Sequence, residues 1–152
     1  RTHGNYKGTG GGKFRPVDAR ESGIYIYGEQ RACAVSDFNQ DGRMDLVVGQ
    51  NSEATKLYLN KQGTPGLRVK LNGASQNPAA IGSIVTAATL TREIQSGSGY
   101  WAHNSTCLVF SQKKPIGDIQ VTWPSGKQTR YSVPPNAIAV QLNRDGTLHH
   151  TE

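Results

Sequence analysis

The chain has 152 residues, 35% of them hydrophobic, with 18 glycines and a net charge of +6. That length allows one or two small domains, and a modest apolar fraction with abundant glycine favours many short strands and turns over helices. No apolar run approaches the roughly 18–20 residues of a membrane helix, and Lys and Arg are scattered singly except at Lys113-Lys114, which reads as a solvated basic surface and not as a nucleic-acid site.

The sequence opens at Arg1-Thr2-His3-Gly4, without the Met and apolar stretch of a signal peptide, so it is expected to be a mature or processed piece of a longer protein. Its glycine-rich start, residues 1–13, reads as a loop or as the tail of an element that begins earlier. From Phe14 onward short β-type runs alternate with turn signals. A first set is predicted at Ile24–Tyr27, Ala32–Ser36, Asp45–Val48 and Thr55–Leu59. A second set covers Leu67–Leu71, Ser83–Leu90, Cys107–Phe110, Asp118–Trp123, Thr129–Val133 and Ile138–Leu142. Leu67, Val69 and Leu71 alternate with polar residues, as do Ile119, Val121 and Trp123, and period-two alternation sets one face on a core and the other in water. No segment of helical length shows the 3.6-residue period. Gly63-Thr64-Pro65-Gly66 marks the boundary between the sets, giving parts 1–63 and 64–152. Asp145-Gly146 predicts a hairpin turn in the tail, and His149-His150-Thr151-Glu152 reads as a frayed end.

The two cysteines, Cys33 and Cys107, each lie in an apolar strand-like run. Two cysteines make no disulfide framework, and buried free thiols are expected, since a free cysteine behaves as a small hydrophobe; the alternative is a Cys33–Cys107 bridge, which geometry decides.

The sharpest chemical signal is Asp37-Phe38-Asn39-Gln40-Asp41-Gly42-Arg43-Met44-Asp45. Oxygen-bearing side chains recur at 37, 39, 41 and 45, and Gly42 falls where the chain turns sharply. A hard cation such as calcium takes 6–8 oxygens. Asp37, Asn39, Asp41 and Asp45 supply four side chains, and the main-chain carbonyl of Arg43 a fifth ligand. An EF-hand is disfavoured, because its twelfth position needs Glu and Val48 stands there. The expected cofactor is Ca2+ in a strand–loop–strand site; the alternative is an Asp/Asn/Gly-rich turn with no ion, whose three carboxylates would repel one another.

No catalytic constellation emerges. His3, His149 and His150 lie near the chain ends, His103 with Ser105 reads as part of a polar loop, and no Gly-x-Ser-x-Gly elbow is present. Asn104-Ser105-Thr106 fits the N-glycosylation sequon. Trp123 shares a face with Val121 and Ile119 and is expected in the core. Tyr100 and Trp101 stand beside glycine and serine, where aromatic rings with polar tips suit sugar or protein surfaces; they are the candidate ligand-binding pair.

At these residues the sequence resembles known families. Gly10–Lys61 resembles one FG-GAP/VCBS-type β-propeller repeat, through Ser22-Gly23-Ile24-Tyr25, Ala34–Gly42, Asp45-Leu46-Val47-Val48 and Leu57-Tyr58-Leu59-Asn60. Leu67–Leu142 resembles the ASPIC/UnbV domain, through Leu67–Leu71, Asn77 with Ala80-Ile81-Gly82, Gly97-Ser98-Gly99-Tyr100 and Val121–Gly126. Phe110-Ser111-Gln112-Lys113 and Pro78 depart from the second pattern. The resemblance implies an all-β chain: a four-stranded propeller-blade-like segment followed by a small antiparallel β-sandwich. It implies a secreted or cell-surface, calcium-stabilised protein, and it carries over only the ion ligands Asp37, Asn39, Asp41, Arg43 and Asp45.

The functional expectation is therefore a non-enzymatic extracellular calcium-binding structural or adhesion module. Its expected partners are glycans or other protein chains, including its own copies in an oligomer or fibre built through exposed strand edges. The alternative is the accessory C-terminal region of a secreted enzyme whose catalytic domain lies outside this sequence.

Overall fold

The structure is a computed structural model that describes residues 5–111 and 114–151. The first four residues of the glycine-rich start, His3 among them, Gln112 and Lys113 of the segment Phe110–Lys113, and Glu152 of the tail lie outside the described residues.

The chain is all-β, with thirteen strands and one four-residue helix among the described residues. From Asn5 onward the glycine-rich start is not a loop. β1 (Asn5–Gly10) and β2 (Lys13–Val17) form a separate antiparallel hairpin. Gly10, Gly11 and Gly12 all take positive φ there, a turn that only glycine makes at no steric cost, so the composition that reads as loop is the turn itself. Helix α1 (Ala19–Ser22) follows, capped by the Asp18 carboxylate on the Arg20 N–H and by Gly23 at φ 71°.

β3 (Glu29–Ser36), β4 (Asp45–Asn51) and β5 (Lys56–Tyr58) make a three-stranded antiparallel sheet. The expected fourth strand, Ile24–Tyr27, joins no ladder. Its alternation is real, with Ile24 and Ile26 half-buried and Tyr25 and Tyr27 exposed, but its link to the sheet is a side chain: the Tyr58 hydroxyl donates to the Tyr25 carbonyl. Period-two patterning reports which residues face inward, and a ladder needs main-chain partners besides.

The second part is two four-stranded sheets sharing one core. One has the order β11-β10-β7-β8, from β7 (Ile84–Ala87), β8 (Leu90–Glu93), β10 (Asp118–Thr122) and β11 (Gln128–Ser132). The other has the order β13-β12-β6-β9, from β6 (Leu67–Asn72), β9 (Leu108–Phe110), β12 (Ala139–Asn143) and β13 (Leu148–Thr151). Val69, Leu71, Val140 and Leu142 face inward from the second sheet onto Val85, Ile119, Val121 and Tyr131 of the first. Each such side chain contributes about 1.5–3 kcal/mol by leaving water.

Three expectations change here. Ser83–Leu90 is two strands, because the chain reverses at Ala88, φ 50°. The sandwich is not purely antiparallel: β6 and β12 run parallel, Val69 beside Val140 and Leu71 beside Leu142. The tail is a strand, since the Asp145-Gly146 turn sends β13 back along β12, with Gly146 at φ 103°. His149 and His150, being adjacent on a strand, point to opposite faces and make no chelating pair.

Polar ties fix the sandwich. Trp123, 2% exposed, donates its indole N–H to Thr129 Oγ1 at 3.0 Å. Asn77 closes the loop between β6 and β7, donating to the Ile81 carbonyl and accepting the Ile81 N–H, and Pro78 fits there because its carbonyl accepts the Gly73 N–H. The Tyr131 hydroxyl, on one sheet, donates to the Asn143 carbonyl on the other at 2.5 Å. Burial pushes the Tyr131 phenol pKa up. Tyr131→Phe should cost about 1 kcal/mol, the net value of one such bond, read as a lower urea midpoint with an unchanged slope. An unchanged midpoint would mean that ring packing alone holds the two sheets there.

Both cysteines are free. Cys107 is half-buried, and burial pushes its thiol pKa up; Cys33 is exposed, against the expectation of burial. It pairs opposite Val48, which is buried while Cys33 is not.

Candidate metal centre

Asp37–Asp45 is the tight connection between β3 and β4, and the two strands leave it in register, Ser36 opposite Asp45. Gly42 sits at φ 78° and Gln40 at φ 62°, the sharp reversal that the loop's glycine predicts. Asp37 and Asp45 are buried, Asp41 and Arg43 are half-buried and Asn39 is exposed.

The loop's side chains are tied to its own backbone. Asp37 accepts the N–H groups of Asp41 and Gly42, both at 3.0 Å. Asp41 accepts the Arg43 N–H at 2.9 Å and the Asn39 amide at 2.9 Å. Asp45 accepts the Phe38 N–H at 2.9 Å on one oxygen and the Asn60 N–H at 2.8 Å on the other. Asn60 in turn accepts the Gly63 N–H, so Asp45 governs the exit of the first part as well as the loop.

Two guanidinium groups offset the carboxylates' repulsion. Arg43 Nη1 lies 3.0 Å from Asp41 Oδ2, and Arg68 Nε lies 2.8 Å from Asp37 Oδ2. The second is a charge contact without hydrogen-bond alignment, and the buried Nε has no aligned acceptor. Partial burial pushes the Asp41 carboxyl up, but Asn39 and both donors of Arg43 outweigh it and hold its pKa below the usual carboxylate range. Arg68 comes from β6, 31 positions along the chain from Asp37, so a local reading of the loop has no sight of it.

The donor set fits a hard cation in its chemistry: three carboxylates, one amide oxygen and the Arg43 carbonyl within nine residues. Each carboxylate offers about four lone-pair sites, so the contacts above leave acceptor capacity on every one. Among the described residues, however, no three His, Cys, Asp or Glu side chains are gathered closely enough to hold a metal.

The loop also joins the two parts. The Gly66 N–H donates to the Gly42 carbonyl at 2.8 Å, and Arg43 Nε to the Gly63 carbonyl at 2.6 Å. At the β3 edge, the Val35 N–H donates to Asn104 Oδ1 and the Val35 carbonyl accepts the Ser105 N–H, both at 2.9 Å. The sequon asparagine is thus half-buried and engaged in covering an open strand edge. His103 accepts the Gly97 N–H and Ser105 Oγ accepts the Cys107 N–H, so both serve the loop's own backbone.

Tyr100 and Trp101 stand apart from the loop and together with each other. Their rings stack at 5.5 Å and 10°, at 66% and 85% exposure. Trp101 takes φ 51°, a strained state for a bulky residue. The Gly99–Ala102 bridge holds the tip, and Ser98 Oγ accepts the Asn104 N–H below it.

Residues 73–147 match the family model described as ASPIC and UnbV, and that part of the chain carries this domain. No curated protein matches the chain.

Proposed function

We propose that this chain, with its ASPIC/UnbV domain at 73–147, is a non-enzymatic extracellular module whose Asp37–Asp45 loop binds calcium as a structural ion, and whose surface contacts glycans. The observation that carries the reading is the oxygen spacing at 37, 39, 41, 43 and 45 on a strand–turn–strand frame with Gly42 at positive φ. Asp37, Asn39, Asp41, the Arg43 carbonyl and Asp45 hold the ion in this proposal. Its charge would take over the neutralising role of Arg43 at Asp41. Because the loop is bonded to Gly63 and Gly66, an ion that fixes it also fixes the joint between the two parts. The segment before the joint is a blade of a β-propeller on this reading, supported by the order β3-β4-β5. Glycan contact is supported by the stacked, exposed pair Tyr100–Trp101.

The test is a thermal melt in calcium and in EDTA, on the wild type and on Asp41→Ala. Calcium at a hundredfold over its dissociation constant should raise wild-type stability by about 2.7 kcal/mol, and Asp41→Ala should abolish that rise. Identical wild-type melts in calcium and EDTA would reduce the loop to a turn neutralised by its arginines.

A further inference from the structure

We propose a second site, an anion-binding trough on the outer face of the sheet β13-β12-β6-β9, which takes the sulfate or carboxylate groups of an acidic glycan. This deepens the glycan-contact reading above and rests on it. The register builds the trough. Lys70 on β6 stands beside Gln141 on β12, which stands opposite His149 on β13. The next row is Arg68, Ala139 and Thr151. Neighbouring strands lie about 4.8 Å apart, so the Lys70 and His149 positions flank the middle strand at about 10 Å. Ala139 contributes only a methyl between Arg68 and Thr151, which lowers the floor there.

The trough has a volume of about 570 Å³, and Ser105, Thr106 and Gln40 of the metal loop also line it. It is lined by the Lys70 ammonium and by imidazole, hydroxyl and amide groups, with the Arg68 guanidinium beside them already ion-paired to Asp37, and no carboxylate lines it among the described residues. Asp37 does not line the trough, and its charge is balanced by the Arg68 Nε at 2.8 Å. Charge-assisted hydrogen bonds to an oxyanion are stronger than neutral ones, and the chain's net charge of +6 favours the approach of a polyanion. A saccharide is favoured over a bare anion by the hydroxyl and amide lining and by what adjoins it. The stacked plate Tyr100–Trp101 ends four residues before Ser105, within about 14 Å along the chain. One sugar chain can lay a ring on the plate and its charged group in the trough.

The test titrates the full chain with short dextran oligosaccharides, sulfated and unsulfated, with inorganic sulfate and with single-stranded oligothymidylate, by calorimetry at fixed salt. The wild type should bind the sulfated sugar about tenfold more tightly than the unsulfated one. Lys70→Gln with His149→Gln should remove that difference without lowering the melting temperature, since both side chains are exposed. Trp101→Ala should weaken both sugars. Equal binding of the two sugars, or a double variant that still prefers the sulfated one, would sink the trough while leaving glycan contact through the plate. Binding of neither sugar would sink both readings, and sulfate or oligothymidylate binding as tightly as the sulfated sugar would make this a charge site with no saccharide preference.

Discussion

Gly66→Ala should destabilise the chain by about 3 kcal/mol or more, and it should do so at the joint between the two parts. A Cβ at Gly66 would stand 2.6 Å from the Phe110 carbonyl carbon and oxygen and from the Ser111 nitrogen. All three atoms are backbone, in and just after β9, and cannot swing aside as a side chain can. Overpacking of this kind costs about 1–3 kcal/mol even where the surroundings adjust. Here the adjustment also pulls the Gly66 N–H from the Gly42 carbonyl, a 2.8 Å bond that ties the acidic loop to the linker. The opposing glycine has no slack, because a Cβ on Gly42 would meet Gly66 O at 2.8 Å. For a chain of this length the loss corresponds to a melting temperature lower by about 6–12 °C. Gly117→Ala is the matched control, with nothing within 4 Å and no positive φ, and should shift stability by no more than about 0.5 kcal/mol. If Gly66→Ala melts with Gly117→Ala, the linker is not clamped between loop and β9.

That joint marks the limit of what the sequence discloses. The strands of the sandwich are legible because each buries one face: Leu67, Val69 and Leu71, or Ile119, Val121 and Trp123, announce themselves by alternation alone. The loop Asp37–Asp45 is legible because its ligand spacing and glycine are contiguous. Features made by partners far apart in sequence are not legible. Gly63–Gly66 reads as a domain boundary from its Gly and Pro content, yet Gly66 is small because backbones approach it, Gly42 from one side and Phe110 from the other. Arg68 reads as one of the solvent-facing residues of an alternating strand, and it meets Asp37 instead. Ile24–Tyr27 fails in the other sense: the pattern is present and the pairing partner is absent.

Asp45→Ala should cost about 3 kcal/mol in EDTA as well as in calcium, which separates this residue from the rest of the proposed ligand set. Asp45 is 2% exposed, and its two oxygens accept the Phe38 and Asn60 N–H groups. Truncation leaves both donors without partners, and an unsatisfied buried donor costs about 1–3 kcal/mol. Asn60 is the critical one. It accepts the Gly63 N–H at 2.9 Å and donates to the Met44 carbonyl at 3.3 Å, so freeing it loosens the end of β5 and the approach to the linker together. Asp45→Asn keeps one acceptor oxygen and sets an amide N–H against the other donor, so it should recover less than half of the loss. Asp41→Ala behaves differently: Asp41 is half-buried and bonded chiefly to Asn39 and Arg43, its loop neighbours. Its cost in EDTA should stay near 1 kcal/mol, the scale of a partly exposed hydrogen bond. Chemical denaturation of the two variants with and without calcium therefore distinguishes a ligand that only holds the ion from one that also holds the fold. Equal losses for both in EDTA would mean that Asp45 does no more for the chain than Asp41.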